Sequence, residues 1–286
     1  MEPLAETVAR LSASSRRNYQ NPYETITWPE SLVRPLWCTS PELISIHGTA
    51  WWDALDEPRR QELSFWEAVN FFSLNIHGER ALIEGLAHRL YRPGLEETAE
   101  YLHHFLDEEN KHSVWFGTFC LRYAGKIYAD RKVAFPGDGA EGEEDFLFFA
   151  RVAIFEEIVD RYNLTMGHDE RLAPVVRQIN ARHHAEETRH LIFGRRIVEH
   201  LWRRHHPTWS DTTVARLRGY LAGYLESTWR EYYNPDVYRD VGLDRPWAVA
   251  REAWEHPLAR EHRRRLSRQC LAPFLEAGIL DEEPTR

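Results

Sequence analysis

The chain has 286 residues, of which 43% are hydrophobic and 28% are charged, so it can bury a sizeable core and has the composition of a globular protein. Its net charge of −9 argues against general binding to the nucleic-acid backbone, which requires a basic surface. The three cysteines are far apart and no apolar run reaches the length of a membrane span, so we expect a cytoplasmic protein with reduced thiols, no membrane segment and no secretion signal.

The first 63 residues lack long helical periodicity and consist of aromatic-rich segments interrupted by prolines. These prolines are Pro22, Pro29, Pro35, Pro41 and Pro58. Because proline lacks an amide N–H and cannot continue a helix, this pattern predicts an arm with short helices that wraps the body of the protein.

Four long helices are predicted after the arm, over residues 64–92, 95–125, 145–166 and 171–205. Their apolar residues recur at spacings of three and four, as in Phe65, Val69, Phe72 and Ile76 of the first helix. The longest connection lies between the second and third helices, where residues 135–144 predict a loop. Two helical hairpins joined by a longer connection are typical of a four-helix bundle.

Three further helices are predicted near the C-terminal end, over residues 211–232, 246–254 and 257–277. No run of residues shows the period of two that a half-buried strand requires. The sequence therefore predicts an all-α protein that forms a single domain over 1–286. The arm occupies residues 1–63, the four-helix core 64–205 and the C-terminal helices 206–286.

The first and third core helices each carry a glutamate on an apolar face. Glu79 lies between Ile76 and Ile83 on the inner stripe of its helix. A carboxylate on a buried face costs several kcal/mol unless it is paired or binds a metal ion. In the third helix Glu156 and Glu157 are adjacent. We favour Glu156 because it shares its face with apolar residues, and Glu157 is the alternative.

The second and fourth core helices each carry a Glu-x-x-His motif on the inner face. These motifs are Glu109-x-x-His112 and Glu187-x-x-His190. Residues three apart lie side by side on a helix, so the two side chains of each motif can reach a common point. Together with the two single glutamates they form the ligand pattern of di-iron and di-manganese carboxylate bundles.

The spacing of these residues indicates two matching halves. Glu79 and Glu109 are 30 residues apart, and Glu156 and Glu187 are 31 residues apart. Each helical hairpin therefore contributes one glutamate followed by one Glu-x-x-His motif. A single such motif is common by chance, but the repetition of the whole arrangement is not.

His183 adds a third histidine to the inner face of the fourth helix, four residues before Glu187. A bundle of this kind needs only two histidines, so a third one in register indicates a less common class of centre. The alternative is that His183 only hydrogen-bonds a metal ligand. Glu108 and Glu186, which precede the two motifs, are expected to be solvated or to hydrogen-bond the ligands.

These residues resemble the motifs of the di-iron arylamine N-oxygenases, a ferritin-like family whose type member oxidises p-aminobenzoate. The resemblance extends over most of the chain, and it implies a ferritin-like bundle that holds two iron ions. Carboxylates mixed with imidazoles suit iron or manganese better than zinc, so manganese is the alternative metal. The implied metal ligands are Glu79, Glu109, His112, Glu156, His183, Glu187 and His190.

The resemblance implies a monooxygenase of secondary metabolism that uses O2 to convert an arylamine to its hydroxylamine, nitroso or nitro product. Two other uses of the same centre compete with this one. They are C–H hydroxylation or another O2-dependent oxidation, and a role in iron storage, peroxide reduction or radical generation. The expected partners are a small-molecule amine, free or bound to a carrier protein, an external electron donor and, in a homodimer, a second copy of the chain.

Overall fold

The computed structural model describes residues 3–130 and 139–283. Within these ranges it contains helices and no β-strand. The prediction of an all-α protein is therefore confirmed. The α-helices are α1 Leu4–Arg17, α2 Ala50–Asp53, α3 Glu57–Ala87, α4 Ala99–Phe119, α5 Glu143–His168, α6 Pro174–His205, α7 Asp211–Glu231, α8 Pro235–Asp240, α9 Pro246–Glu255 and α10 Pro257–Glu276. Short 3₁₀ helices span Pro41–Leu43, Glu96–Thr98 and His206–Thr208, and a π-helical turn spans Cys120–Ala124.

The four longest helices of the predicted core form a bundle. Helix α3 packs along α4 and α5 packs along α6, so the chain folds into two hairpins that lie against each other. The predicted loop over residues 135–144 connects these hairpins, and its first part, 135–138, lies outside the described residues. Its last two residues belong to α5, which begins at Glu143.

Several helix ends differ from the predicted ones. Helix α3 begins at Glu57 rather than near residue 64, because the carboxylate of Asp56 accepts a hydrogen bond from the backbone N–H of Arg59 at 3.0 Å and Pro58 suits the first helical turn. Helix α8 was not predicted. It has only six residues, and the side chain of Asn234 caps it.

The segment before α3 packs against the helices of the bundle. Its first helix, α1, packs against α4 and α6 and is longer than the short helices predicted there. The backbone carbonyl of Trp37 accepts a hydrogen bond from Ala173 N–H at 2.8 Å, next to the start of α6. Trp115 of α4 donates its indole N–H to the carbonyl of Pro22 at 3.0 Å. These bonds attach the segment to two of the four core helices.

Helices α3 and α5 approach each other closely where α3 has two glycines. A Cβ atom at Gly78 would lie 2.5 Å from the ring of Phe155, and one at Gly85 would lie 2.0 Å from the ring of Phe148. Neither position has room for a larger residue unless the aromatic ring moves. The two rings therefore determine how closely the helices that carry Glu79 and Glu156 can pack.

Cys38, Cys120 and Cys270 are buried free thiols, and burial raises the pKa of each to about 12. Within residues 3–130 and 139–283, no helix combines the length and the apolar character needed to cross a bilayer.

Candidate metal centre

The seven residues predicted as metal ligands all lie inside the four-helix bundle. Each of these seven residues is at most 3% exposed. Helix α3 contributes Glu79, α4 contributes Glu109 and His112, α5 contributes Glu156, and α6 contributes His183, Glu187 and His190. The structure therefore brings together side chains from all four core helices.

Six of these residues form two overlapping groups of possible metal ligands. Glu109, His112, Glu187 and His190 each offer one atom within 4.8 Å of the others, and Glu79, His112 and His183 form a second group of three within the same distance. In the first group, Nδ1 of His190 lies 2.8 Å from a carboxylate oxygen of Glu109. Two neighbouring groups with a shared histidine are suited to a pair of metal ions.

Glu156 lies outside both groups but shows the clearest need for a cation. It is 3% exposed, and neither of its carboxylate oxygens has a hydrogen-bond partner among the described residues. Its neighbour Glu157 is also buried, but that carboxylate forms an ion pair with Arg195. The geometry therefore favours Glu156 over Glu157, as the sequence did.

The electrostatics of the cluster fit a dinuclear centre. Burial raises the pKa of Glu79 to about 7, and burial together with neighbouring carboxylates raises the pKa values of Glu109 and Glu156 well above the usual range. Buried carboxylates that crowd together are unfavourable unless protons or cations neutralise them. Metal ions bind such groups in their ionised form and displace the protons. The donor set therefore fits the two ions that the pattern predicts.

Glu108 and Glu186 hold the histidines of the opposite motif. Nε2 of His190 lies 2.8 Å from Glu108, and Nε2 of His112 lies 3.0 Å from Glu186. Both carboxylates are 1% exposed, so of the two predicted roles the hydrogen-bonding one is correct and the solvated one is wrong. Because each carboxylate accepts the Nε2 proton, Nδ1 of each histidine is left with its lone pair facing the centre.

Two buried cations balance these outer carboxylates. Arg189 donates a hydrogen bond to Glu108 at 2.6 Å, and Lys111 donates one to Glu186 at 3.1 Å. Neither cation was singled out from the sequence. Each lies two residues after the glutamate of a Glu-x-x-His motif, but the helix on which its partner lies cannot be derived from spacing alone.

His183 points toward the centre and is held from behind by Asn163. Nε2 of His183 lies 2.8 Å from Glu187 and 3.7 Å from Glu79, and Nδ1 lies 2.6 Å from the side-chain amide of Asn163. Oδ1 of Asn163 has no other partner among the described residues. Since the two ends of an Asn amide exchange by rotation, Oδ1 can accept the Nδ1 proton of His183, which leaves Nε2 free to bind metal.

Asn163 was missed in the sequence, although a signal was present. It lies seven residues after Glu156, which places it two helical turns away on the same face of α5. The adjacent His184 points elsewhere and contacts Asp160 at 2.5 Å. An asparagine on the face of α5 that carries Glu156 was therefore the signal in the sequence for a hydrogen-bond partner of His183.

The comparison of the sequence with protein families agrees with this geometry. The family described as P-aminobenzoate N-oxygenase AurF matches residues 3–278. The chain belongs to this family. In this family member the buried cluster of carboxylates and histidines fits a pair of metal ions.

Individual relatives of this AurF family member are distant. Uncharacterised proteins of Mycobacterium bovis and Mycobacterium tuberculosis are 27% identical to it over 200 residues, which cover 66% of this chain and 58% of theirs. The matched region thus spans little more than half the length of these curated relatives.

Solved structures show the same fold. Two variants of an R2-like ligand-binding oxidase with an anaerobically reconstituted Mn/Fe cofactor are 18% identical, with TM-scores of 0.53 and 0.52. The alignments cover 98% of this chain and 93% or 94% of theirs. At this level of identity the likeness establishes the ferritin-like fold.

Proposed function

We propose that this protein is an O2-dependent monooxygenase that transfers oxygen to the nitrogen of an arylamine, with two iron ions held by the seven predicted ligands. Manganese is the alternative metal, because the same carboxylate and imidazole donors suit it. Family membership supports the reaction class. The observation that carries the proposal is the third histidine, His183, whose Nε2 atom faces Glu79 and Glu187 inside the cluster.

The bound metal ions supply the reduction of O2, which no side chain can perform. The chain itself determines which atoms face them. Glu108 and Glu186 hold His190 and His112 in the tautomer that directs Nδ1 inward, and Asn163 holds His183 with Nε2 inward. With metal ions bound, the protein would thereby present three imidazoles and four carboxylates from fixed positions.

Aromatic side chains enclose this set of donors. The ring of Phe105 stacks on His190 with the ring centroids 4.0 Å apart, and the ring of Phe116 lies 4.9 Å from that of His183. Both phenylalanines are fully buried. Their role is to keep bulk water away from the centre, which strengthens the electrostatic interactions within it and protects reactive species from side reactions.

The reaction is tested by product analysis. The protein is loaded with ferrous iron without oxygen, then given aniline, a chemical reductant and ¹⁸O₂. In the first step one ¹⁸O atom should appear in phenylhydroxylamine, while the other is reduced to water with two electrons from the reductant. Further oxidation by O2 would give nitrosobenzene or, with a second ¹⁸O atom from a second O2, nitrobenzene. Aminophenol as the product would instead identify a C–H hydroxylase. No product, together with iron uptake far above two ions per chain, would identify a storage protein.

A further inference from the structure

Helix α6 separates the candidate metal centre from solvent on one side of the bundle. Ala185 is exposed and lies two residues from both His183 and Glu187, which point into the bundle. Residues two apart lie about 200° apart around a helix, so Ala185 is on the opposite side of α6 from these two predicted ligands. Because an α-helix with its side chains is about 10–12 Å in diameter, only about that distance separates the ligands from this surface. The outer face of α6 consists of Arg177, Ala181, Arg182, Ala185 and Thr188.

The unpaired charges on the outer face of α6 are positive. Arg182 is exposed and Arg177 is half-buried, and neither guanidinium group has an ion-pair or hydrogen-bond partner in the part of the chain that the structure describes. The whole chain has a net charge of −9, so these two cations reverse the sign of the charge locally. A partner with an acidic surface is therefore attracted to this face and repelled from most of the rest of the protein.

The other three helices that carry predicted ligands differ from α6 on their outward sides. Beside its ligands, α4 exposes Asp107 and Asn110, which do not attract an acidic partner. On α3, Arg80 is exposed but forms an ion pair with Asp130 at 2.6 Å, and the exposed Glu84 lies one turn further along. Helix α5 is covered by α7 and α10. Of these four helices, α6 therefore fits an acidic partner best.

An open groove beside this face supplies apolar contact area. It has a volume of about 870 Å³ and lies between residues 27–36 and the start of α6. Leu32, Val33 and Leu36 line it, and Val33 is 83% exposed. Arg177 and Ala181 line the groove and also belong to the outer face of α6, so the two surfaces are continuous. Apolar contact area next to arginine side chains is common in protein–protein interfaces.

The function proposed above requires an electron donor that can approach the centre closely. The oxygenation of an amine to a hydroxylamine consumes one O2, two electrons and two protons, and it releases one water molecule. Electron transfer slows steeply as the distance between donor and acceptor grows, so the donor must dock where little protein separates it from the centre. Iron–sulfur proteins are electron carriers whose clusters are suited to this task.

We propose that the outer face of α6, with Arg177 and Arg182, docks an acidic iron–sulfur electron-carrier protein whose electrons cross α6 to the centre. The inference rests on the function proposed above and adds the kind of partner and its docking site. Each docking event oxidises one iron–sulfur cluster and delivers one electron. Two such events supply one oxygenation, and the two protons come from solvent.

The probe for this surface is a plant-type ferredoxin, an acidic protein with a two-iron, two-sulfur cluster. Its binding to the iron-loaded protein is measured calorimetrically at low and at high ionic strength. In stopped-flow experiments without oxygen, reduced ferredoxin is mixed with the ferric protein and its oxidation is followed by visible absorbance. Neither measurement requires an amine or the formation of a product.

Charge reversal on the outer face of α6 tests the docking site. The double variant Arg177→Glu/Arg182→Glu should bind ferredoxin about 10-fold more weakly or worse, and ferredoxin oxidation should slow accordingly. Wild-type binding should weaken as the ionic strength rises, and binding by the double variant should depend little on it. The matched control is Arg264→Glu/Arg265→Glu, which changes the net charge equally at exposed positions of α10. It should bind ferredoxin nearly as tightly as the wild type.

The path across α6 is tested separately at Ala185. The large ring in Ala185→Trp would hold the partner further from the centre, so electron transfer at saturating ferredoxin should slow. Ala215→Trp, at an exposed position of α7, is the matched control and should not slow it. Reduction by dithionite, a small reductant that needs no docking face, should differ little among all these proteins. A loss of reduction by dithionite in Ala185→Trp would show damage to the centre, and the charge variants then decide.

Three outcomes would overturn the proposal. The first is a wild-type protein that does not bind ferredoxin. The second is equal ferredoxin binding by the double variants on α6 and α10. The third is a wild-type dimer that Arg177→Glu/Arg182→Glu converts to a monomer without a change in ferredoxin binding, because the occupant of the face would then be a second copy of this chain.

The assay of aniline oxygenation with a chemical reductant distinguishes this proposal from the proposed function. If ferredoxin reduces the centre in a manner that depends on Arg177 and Arg182, but no N-oxygenated product forms, the proposed function is wrong and the docking site stands. If the product forms with the chemical reductant while the variants on α6 accept electrons from ferredoxin as the wild type does, the docking site is wrong and the function stands.

Discussion

The two helical hairpins of the bundle carry almost the same residues around the centre. Counted from the glutamate of each Glu-x-x-His motif, an acidic residue precedes it by one position, a cation follows by two and a histidine follows by three. In α4 these residues are Glu108, Lys111 and His112, and in α6 they are Glu186, Arg189 and His190. Each acidic residue then pairs with the histidine of the other helix, so the two halves support each other.

The halves differ at two corresponding positions beside the centre. Four residues before the motif glutamate, α4 has Phe105 and α6 has His183. The two helices that carry a single glutamate ligand differ as well. Seven residues after that glutamate, α3 has Leu86 and α5 has Asn163. All four residues are buried. A buried histidine needs a hydrogen-bond partner, so the third imidazole and its asparagine have to occur together.

The largest effect is expected from removing the motif glutamates themselves. Glu109→Ala and Glu187→Ala should each weaken iron binding, because each removes a ligand from the shared group. The loss of affinity should exceed the ~10- to 100-fold that is typical when a residue that only hydrogen-bonds a ligand is replaced. Iron per chain, measured by mass spectrometry after dialysis, checks this. Glu84→Ala on the exposed side of α3 is the control. Iron retained in one variant only would show that the halves are not equivalent.

The next largest effect is expected from His183→Phe, which gives α6 the residue that α4 has at the same position. The six other predicted ligands remain, so the variant should fold and bind close to two irons per chain. The rate of N-oxygenation of aniline should fall by more than about 100-fold, which is more than the usual loss of activity when a residue that only hydrogen-bonds a ligand is replaced. Normal product formation would mean that His183 only hydrogen-bonds a ligand and that the two-histidine centre is sufficient.

A smaller and equal effect is expected in both halves from the outer carboxylates. Glu108→Gln and Glu186→Gln should each lower iron affinity about 10- to 100-fold, because glutamine is a weaker acceptor for the histidine N–H. Competition with a chelator measures the affinity. A loss in Glu108→Gln alone would contradict the symmetry of the two cross-helix bonds.

The smallest effect is expected from Asn163→Leu, which copies Leu86 of the other half. Without an acceptor for its Nδ1 proton, His183 should turn away from the centre and product formation should fall about 10-fold. Asn163→Asp keeps an oxygen at the same place and should restore most of the activity. If leucine and aspartate behave alike, Asn163 acts through packing and does not orient His183.

The sequence by itself determined the helical class and the candidate ligands. Apolar residues at spacings of three and four predict the four core helices, and a glutamate or histidine that interrupts such a stripe must meet a partner inside the bundle. This reasoning requires only the geometry of a single helix. It therefore identified Glu79, Glu109 and His190 as inward-facing, and the structure brings these residues together with the other predicted ligands.

Only the tertiary structure decided what lies between the helices. Three side-chain pairs depend on how two helices are aligned along their axes. They are Glu108 with His190, Arg195 with Glu157, and Asn163 with His183. Periodicity determines the face on which a residue lies but not the residue opposite to it. That alignment follows from packing, such as the ring of Phe155 against Gly78, in which residues far apart in the chain must fit together.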